Sequence, residues 1–148
     1  MNELPFLTED HECFRDTLRR FIQTEVVPNA DAWEDAGKVP REVLRKLGEL
    51  GYLGIRYPAA YGGAELDTIY SAILAEELGR STFGGFAVTV LVHTDMASPH
   101  LGNFGNPEQL ARWMPGIISG KTICAVAVTA PDAGSDVAGI KARAVRAG

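Results

Sequence analysis

Thr129 and Ser135 are the two side chains in this sequence best placed to hold a polar ligand. They flank a turn in the stretch Ile123-Cys-Ala-Val-Ala-Val-Thr-Ala-Pro-Asp-Ala-Gly-Ser-Asp136. The run 123–129 is apolar and β-prone and ends on a hydroxyl. Pro131 begins a turn. Ala133-Gly134-Ser135-Asp136 then forms a loop of small residues, and its amides with the Ser135 hydroxyl could hold a phosphate oxygen. Strand, Thr and loop together make a shelf for a flat polar ligand. A plain Pro-Asp-Ala-Gly turn between strands explains the same residues without any ligand.

The other chemistry-bearing residues give weaker patterns. Glu76 and Glu77 are adjacent carboxylates, the residue type of acid–base work. Helical neighbours do not face each other, so these two do not share a proton and read as a solvated or ion-paired face. His93, Asp95 and His100 lack the spacing of a ligand set, and His93 reads as structural or interfacial. Cys13 and Cys124, far apart in the chain, suggest neither a disulfide framework nor a metal site. They read as buried thiols in a reducing, cytoplasmic compartment. Walker, Gly-x-Ser-x-Gly, His-Glu-x-x-His and Cys-x-x-Cys patterns are absent, and no catalytic or metal-ligating residue is assigned.

These candidates sit in a chain of 148 residues, long enough for one real core. The net charge of −5 argues against a nucleic-acid partner, which favours a basic face. The start, Met-Asn-Glu-Leu-Pro, does not read as a signal peptide, and no apolar run is long enough for a membrane span.

The elements that must position the shelf are mostly helical. Thr8 reads as the cap of a first helix with Phe14, Leu18, Phe21, Ile22 and Val26 inward and Pro28 closing it. A polar connection follows at 31–38. Pro40 opens a second helix with a stripe of Val43, Leu44, Leu47 and Leu50, ended by Gly51. Asp67 or Thr68 caps a third, with Ile69, Ile73, Leu74 and Leu78 inward and the Glu76–Glu77 side polar. Gly79 and Gly84-Gly85 break that pattern. The run 86–92 is apolar on all sides, which predicts a helix buried on all sides by a second domain, a ligand or a partner. Asn106-Pro-Glu-Gln109 is a capping box, with Leu110, Trp113, Met114, Ile117 and Ile118 inward and Pro115 distorting the middle. The expected fold is mainly α, with five helices over residues 1–120. Residues 121–148 are expected to begin a β-domain, its second strand at 141–146; two strands alone leave open edges, so either another chain completes the sheet or this is one piece of a longer polypeptide.

The ordered blocks resemble the amino-terminal part of the acyl-CoA dehydrogenases along essentially the whole chain. They are Gly51-Tyr-Leu-Gly-Ile with Tyr61-Gly-Gly63, Glu76-Glu-Leu-Gly, Phe104-Gly-Asn-Pro-Glu-Gln109, Pro115-Gly-Ile-Ile-Ser-Gly-Lys121, and Val128-Thr-Ala-Pro-Asp-Ala-Gly-Ser-Asp136. The last is similar to the family's Thr-Glu-Pro…Gly-Ser-Asp signature. The resemblance implies an oxidoreductase of fatty acid metabolism that takes acyl-CoA as substrate and FAD as cofactor. It further implies a homotetramer and electron transfer to an electron-transfer flavoprotein. By motif match, Val126, Val128 and Thr129 line the flavin, and Ser135 contacts the FAD diphosphate or the thioester's neighbourhood. Val88, Thr89, Val92 and Met96 line the blind end of the acyl pocket.

Two departures go with it. Ala130 stands where the family has Glu, removing a charge near the flavin edge. The family's catalytic base belongs to the C-terminal domain and matches no residue here, so the segment alone is expected to be inactive. A non-catalytic dehydrogenase-like partner subunit and a related flavin oxidase or monooxygenase are the alternatives.

Overall fold

The computed structural model describes residues 7–146. Helix α1, Glu9–Phe21, starts with a reciprocal cap. The Thr8 hydroxyl accepts from the His11 N–H, and His11 Nδ1 accepts from the Thr8 N–H at 3.0 Å. Acids in its first turn and Arg19 and Arg20 in its last suit the helix dipole. Pro28 does not close the helical path. The chain widens into a π-helical turn, Ile22–Val26, tightens into a 3₁₀ turn, Val27–Asn29, and enters α2, Ala30–Asp35. Pro28 lies at the start of the 3₁₀ turn, where a missing N–H costs nothing. The expected polar connection at 31–38 is therefore partly helix, and its Trp33 packs on the core.

Helix α3, Arg41–Glu49, buries Val43, Leu44 and Leu47. Leu50 is 51% exposed, contrary to the expected stripe, because it stands at the C-cap, just past the helix. Gly51 follows at φ 84°, the left-handed position expected of it. Helix α4, Thr68–Arg80, is capped by Asp67, which accepts from the Ile69 N–H at 2.8 Å. It runs straight through Gly79 and buries Ile73, Leu74 and Leu78.

Helix α5, Gly84–Leu91, passes through a π-helical segment, Val92–Ala97, into α6, Ser98–Phe104. Helix α7, Pro107–Ile118, begins with the predicted box: Asn106 and Gln109 exchange bonds of 2.9 and 2.8 Å. It continues unbroken through Pro115. Met114, Ile117 and Ile118 face inward, but Trp113 is 43% exposed and instead stacks with the Arg112 guanidinium. Seven α-helices, rather than five, are present among the described residues.

The main core joins α1, α3, α4 and α5 through Leu18, Ile22, Leu47, Leu74, Leu78, Phe86 and Val90. A second cluster gathers Tyr57, Leu101, Leu110 and Cys124 around the α7 face. The expected polar side of α4 needs correction: Glu76 faces out, whereas Glu77 is buried at 1% exposure. Cys13 is exposed and Cys124 half-buried, so the pair are not both buried thiols.

Neither expected strand is a strand. Among the described residues, 123–129 and 141–146 carry no ladder, and β pairing is confined to one bridge between Ala130 and Ala133. A β-prone sequence supplies one side of a ladder; its partner must come from elsewhere in the chain or another chain.

Candidate functional site

Two pieces carry the candidate residues: the helical path α5–α6 and the run 123–136. They meet at His93, which is fully buried in the π-helical segment. The Cys124 N–H donates to His93 Nδ1 at 3.1 Å. That leaves the proton on Nε2, which donates to the Ile117 carbonyl at 3.1 Å. This carbonyl belongs to the last turn of α7 and also accepts from the Gly120 N–H at 3.0 Å. One imidazole thus ties α5–α6, the end of α7 and the start of the run. Burial pushes its pKa below the ordinary value, against the Ile117 hydrogen bond that raises it. The ring stays neutral, as one acceptor and one donor require.

The segment around His93 is braced from outside. Ser98, which caps the π-helical segment, donates both its N–H and its hydroxyl to the His93 carbonyl, the latter at 2.6 Å. Tyr57 donates to the Ser98 hydroxyl at 2.7 Å from the loop after α3. Burial raises the Tyr57 pKa more than the Ser98 bond lowers it, so the phenol keeps its proton. Its ring lies on Gly102 of α6, where a Cβ would stand 2.9 Å from the ring.

Beyond Cys124 the run leaves the helices. Val126 is half-buried, Val128 is 48% exposed and Thr129 is exposed. The amides of 125–129 make no backbone hydrogen bond among the described residues. Ala130 and Ala133 then bond each other at 2.9 and 3.1 Å across Pro131-Asp132, so this part is the plain turn that the sequence allowed. Ser135 follows it, exposed, with its carbonyl accepting from the Val137 N–H. Neither hydroxyl, Thr129 or Ser135, bonds a protein group among the described residues.

On the helical side, Val88 and Met96 are 58% and 53% exposed, with half-buried Val92 between them at i+4 spacing. The run 86–92 is therefore not covered all round: Phe86 and Val90 face the core, and Val88 faces out. Thr89 stands apart from that stripe. Its hydroxyl donates to the Gly85 carbonyl at 2.7 Å, and it lines a cavity of about 260 Å³ with Trp33, Phe83 and Phe86.

The paired carboxylates belong elsewhere. Glu77 accepts from Arg19 at 2.9 and 2.7 Å and from Arg15 at 3.2 Å, while Glu76 accepts from Arg15 at 2.6 Å. They clamp α4 to α1. The clip of His93 on Cys124 is the feature that sequence reasoning passed over. Its one signal was a histidine ending an otherwise apolar helix.

The profile of the acyl-CoA dehydrogenase N-terminal domain matches residues 8–121. The long-chain specific acyl-CoA dehydrogenase of mouse mitochondria is 38% identical over 141 residues, 95% of this chain and 32% of that protein. Among solved structures, an acyl-CoA dehydrogenase of Bacillus anthracis complexed with FAD is 35% identical. It matches 94% of this chain and 24% of its own, with a TM-score of 0.84. A Mycobacterium smegmatis glutaryl-CoA dehydrogenase in complex with FADH2 is 30% identical over 96% of this chain and 36% of its own, with a TM-score of 0.86. The chain spans about a third of the length of the first curated relatives it matches.

Proposed function

From the premise that the chain belongs to the acyl-CoA dehydrogenase family, through its N-terminal domain, we propose that it is the amino-terminal part of an FAD-dependent acyl-CoA dehydrogenase. The activity is oxidation of the α,β bond of an acyl-CoA thioester. The observation that carries this reading is the junction of Cys124 with His93. It joins a run whose 125–129 amides and Thr129 hydroxyl have no protein partner among the described residues to a helical path that carries exposed Val88 and Met96.

The residues fit a flavin. Val126 and Val128 offer apolar contact for a ring, and the amides of 125–129 with the Thr129 hydroxyl offer donors for its polar edge. Ser135 would contact the diphosphate or the thioester's neighbourhood. Bound there, FAD supplies a two-electron acceptor. Val88, Val92 and Met96 would exclude water along the acyl chain, and Thr89 would stand at the rim of the Trp33 cavity.

In this reading the proton-abstracting base lies outside these residues, and Glu76 and Glu77, held by arginines, do not take its place. Residues 1–148 alone are accordingly inactive. In this reading the helical unit ends near 120 and the β unit begins at 121. The partners are further copies in a tetramer and an electron-transfer flavoprotein. Among the described residues no helix is long and apolar enough to cross a membrane.

The test is the visible spectrum of the purified parent protein. A flavin band that bleaches under anaerobic acyl-CoA is expected. A flavin band unmoved by every acyl-CoA offered, or no flavin, overturns the proposal.

A further inference from the structure

We propose that His93 is a positioning residue that, by holding Cys124, sets where the run 123–129 departs from the α5–α6 helical path and so the register between the two walls of the site. The functional half of this inference rests on the reading above; the clip itself does not.

Among the described residues the amides of 124–129 make one hydrogen bond, from Cys124 to His93. Ile123 packs on the main core and Cys124 on the second cluster, but apolar contact alone tolerates sliding. Hydrogen bonds do not. The Cys124 N–H to His93 Nδ1 bond fixes one residue of the run against one residue of the helix. Further bonding of Thr122 N–H to the Gly116 carbonyl holds the entry to the run. A slip of one residue would put Ala125 and Ala127 in the places of Val126 and Val128, the side chains assigned above to the flavin.

His93 in turn cannot drift. Its ring is fully buried and spent at both nitrogens, and its carbonyl is held by Ser98 under Tyr57. The π-helical segment gives the backbone a wider turn at this point, a feature that recurs where helices serve a site. A side chain that is to replace His93 must accept from Cys124 and donate to Ile117. Glutamine carries an acceptor and a donor about as far apart as the two ring nitrogens; leucine carries neither.

Two readouts test the clip. In the unaltered chain, amide exchange should show Cys124 protected and 125–129 fast. The Cys124 thiol, half-buried with its pKa raised by burial, should react slowly with an aromatic disulfide reagent, while exposed Cys13 serves as internal reference. His93→Leu should speed Cys124 modification by about tenfold or more with Cys13 unchanged, and His93→Gln should restore most of the protection. A Cys124 amide exchanging as fast as its neighbours overturns the proposal, and needs no variant. So does a glutamine variant as reactive as the leucine one. In the flavin-loaded parent, the same pair should shift and restore the flavin's visible band. A parent that binds no flavin but keeps the exchange and thiol pattern overturns the proposed function and leaves the clip standing.

Discussion

Removing the Glu77 carboxylate should cost this protein far more than removing its neighbour Glu76, although the two are adjacent in one helix. Glu77 is 1% exposed and takes hydrogen bonds from Arg19 and Arg15, with Arg80 at 3.8 Å. Deleting one partner of a buried ion pair costs about 3–5 kcal/mol when the other charge is stranded. Here the stranding is incomplete. Arg15 keeps Glu76 at 2.6 Å and Glu12 at 3.4 Å, and Arg19 is 39% exposed to water. The low end applies, so Glu77→Ala should cost about 3 kcal/mol. Glu76 is 53% exposed, and its pair with Arg15 should be worth about 0.2–1 kcal/mol. At about 2–4 °C per kcal/mol for a chain of this size, Glu77→Ala lowers Tm by roughly 6–12 °C and Glu76→Ala by less than about 4 °C.

The same carboxylate gives a pH signature. Burial pushes its pKa up, but the hydrogen bonds from Arg19 and Arg15 and the nearby positive charges more than offset this, and the net direction is down. A carboxylate more acidic folded than unfolded stabilises the fold above its unfolded pKa. That stability is lost as pH falls through the folded value. The wild-type protein should therefore lose more stability than Glu77→Gln between neutral pH and the acid side of the ordinary carboxylate range. Urea titrations at paired pH values measure the gap. Equal Tm losses for Glu76→Ala and Glu77→Ala, or parallel pH profiles for wild type and Glu77→Gln, would refute the clamp.

Two further substitutions test other parts of the structure. Gly48→Ala should destabilise by more than about 2 kcal/mol in a urea melt, because a Cβ there would stand 2.4 Å from the Ser119 backbone where α3 meets the end of α7; a loss under about 0.5 kcal/mol would mean that this close approach is absent. Val88→Glu should leave the Tm within about 2 °C, since Val88 is 58% exposed, yet it should abolish anaerobic bleaching by acyl-CoA in the flavin-loaded parent; normal bleaching would remove Val88 from the acyl wall.

The helical part was legible where local chemistry decides the outcome. Asn106-Pro-Glu-Gln109 formed its box, Asp67 capped α4, and Gly51 took the left-handed turn, each fixed by residues within a few positions. What was misread depended on distant partners. Glu77 reads as a surface residue until α1 brings two arginines to it. The connection at 31–38 reads as polar until the main core receives Trp33. The positions of Leu50 and Trp113 turned on where a helix stops and which face its neighbour covers, and periodicity alone fixes neither. Of the candidate site, the residue types were visible but not the link between its walls, because a bond between His93 and Cys124 leaves no trace in local spacing.

The apolar helix shows why that link matters. A helix apolar on all sides predicts cover on all sides, and here Phe86 and Val90 have it while Val88 and Met96 do not. The run after Cys124 has the complementary lack: among the described residues the 125–129 amides are donors without protein acceptors. One surface wants apolar cover and the other wants polar cover. They are joined at one buried imidazole, so a single occupant covering both would be apolar along one part and polar along another. The acyl thioester and flavin of the proposed function would have that division, and the junction at His93 therefore supports the proposal better than either wall alone.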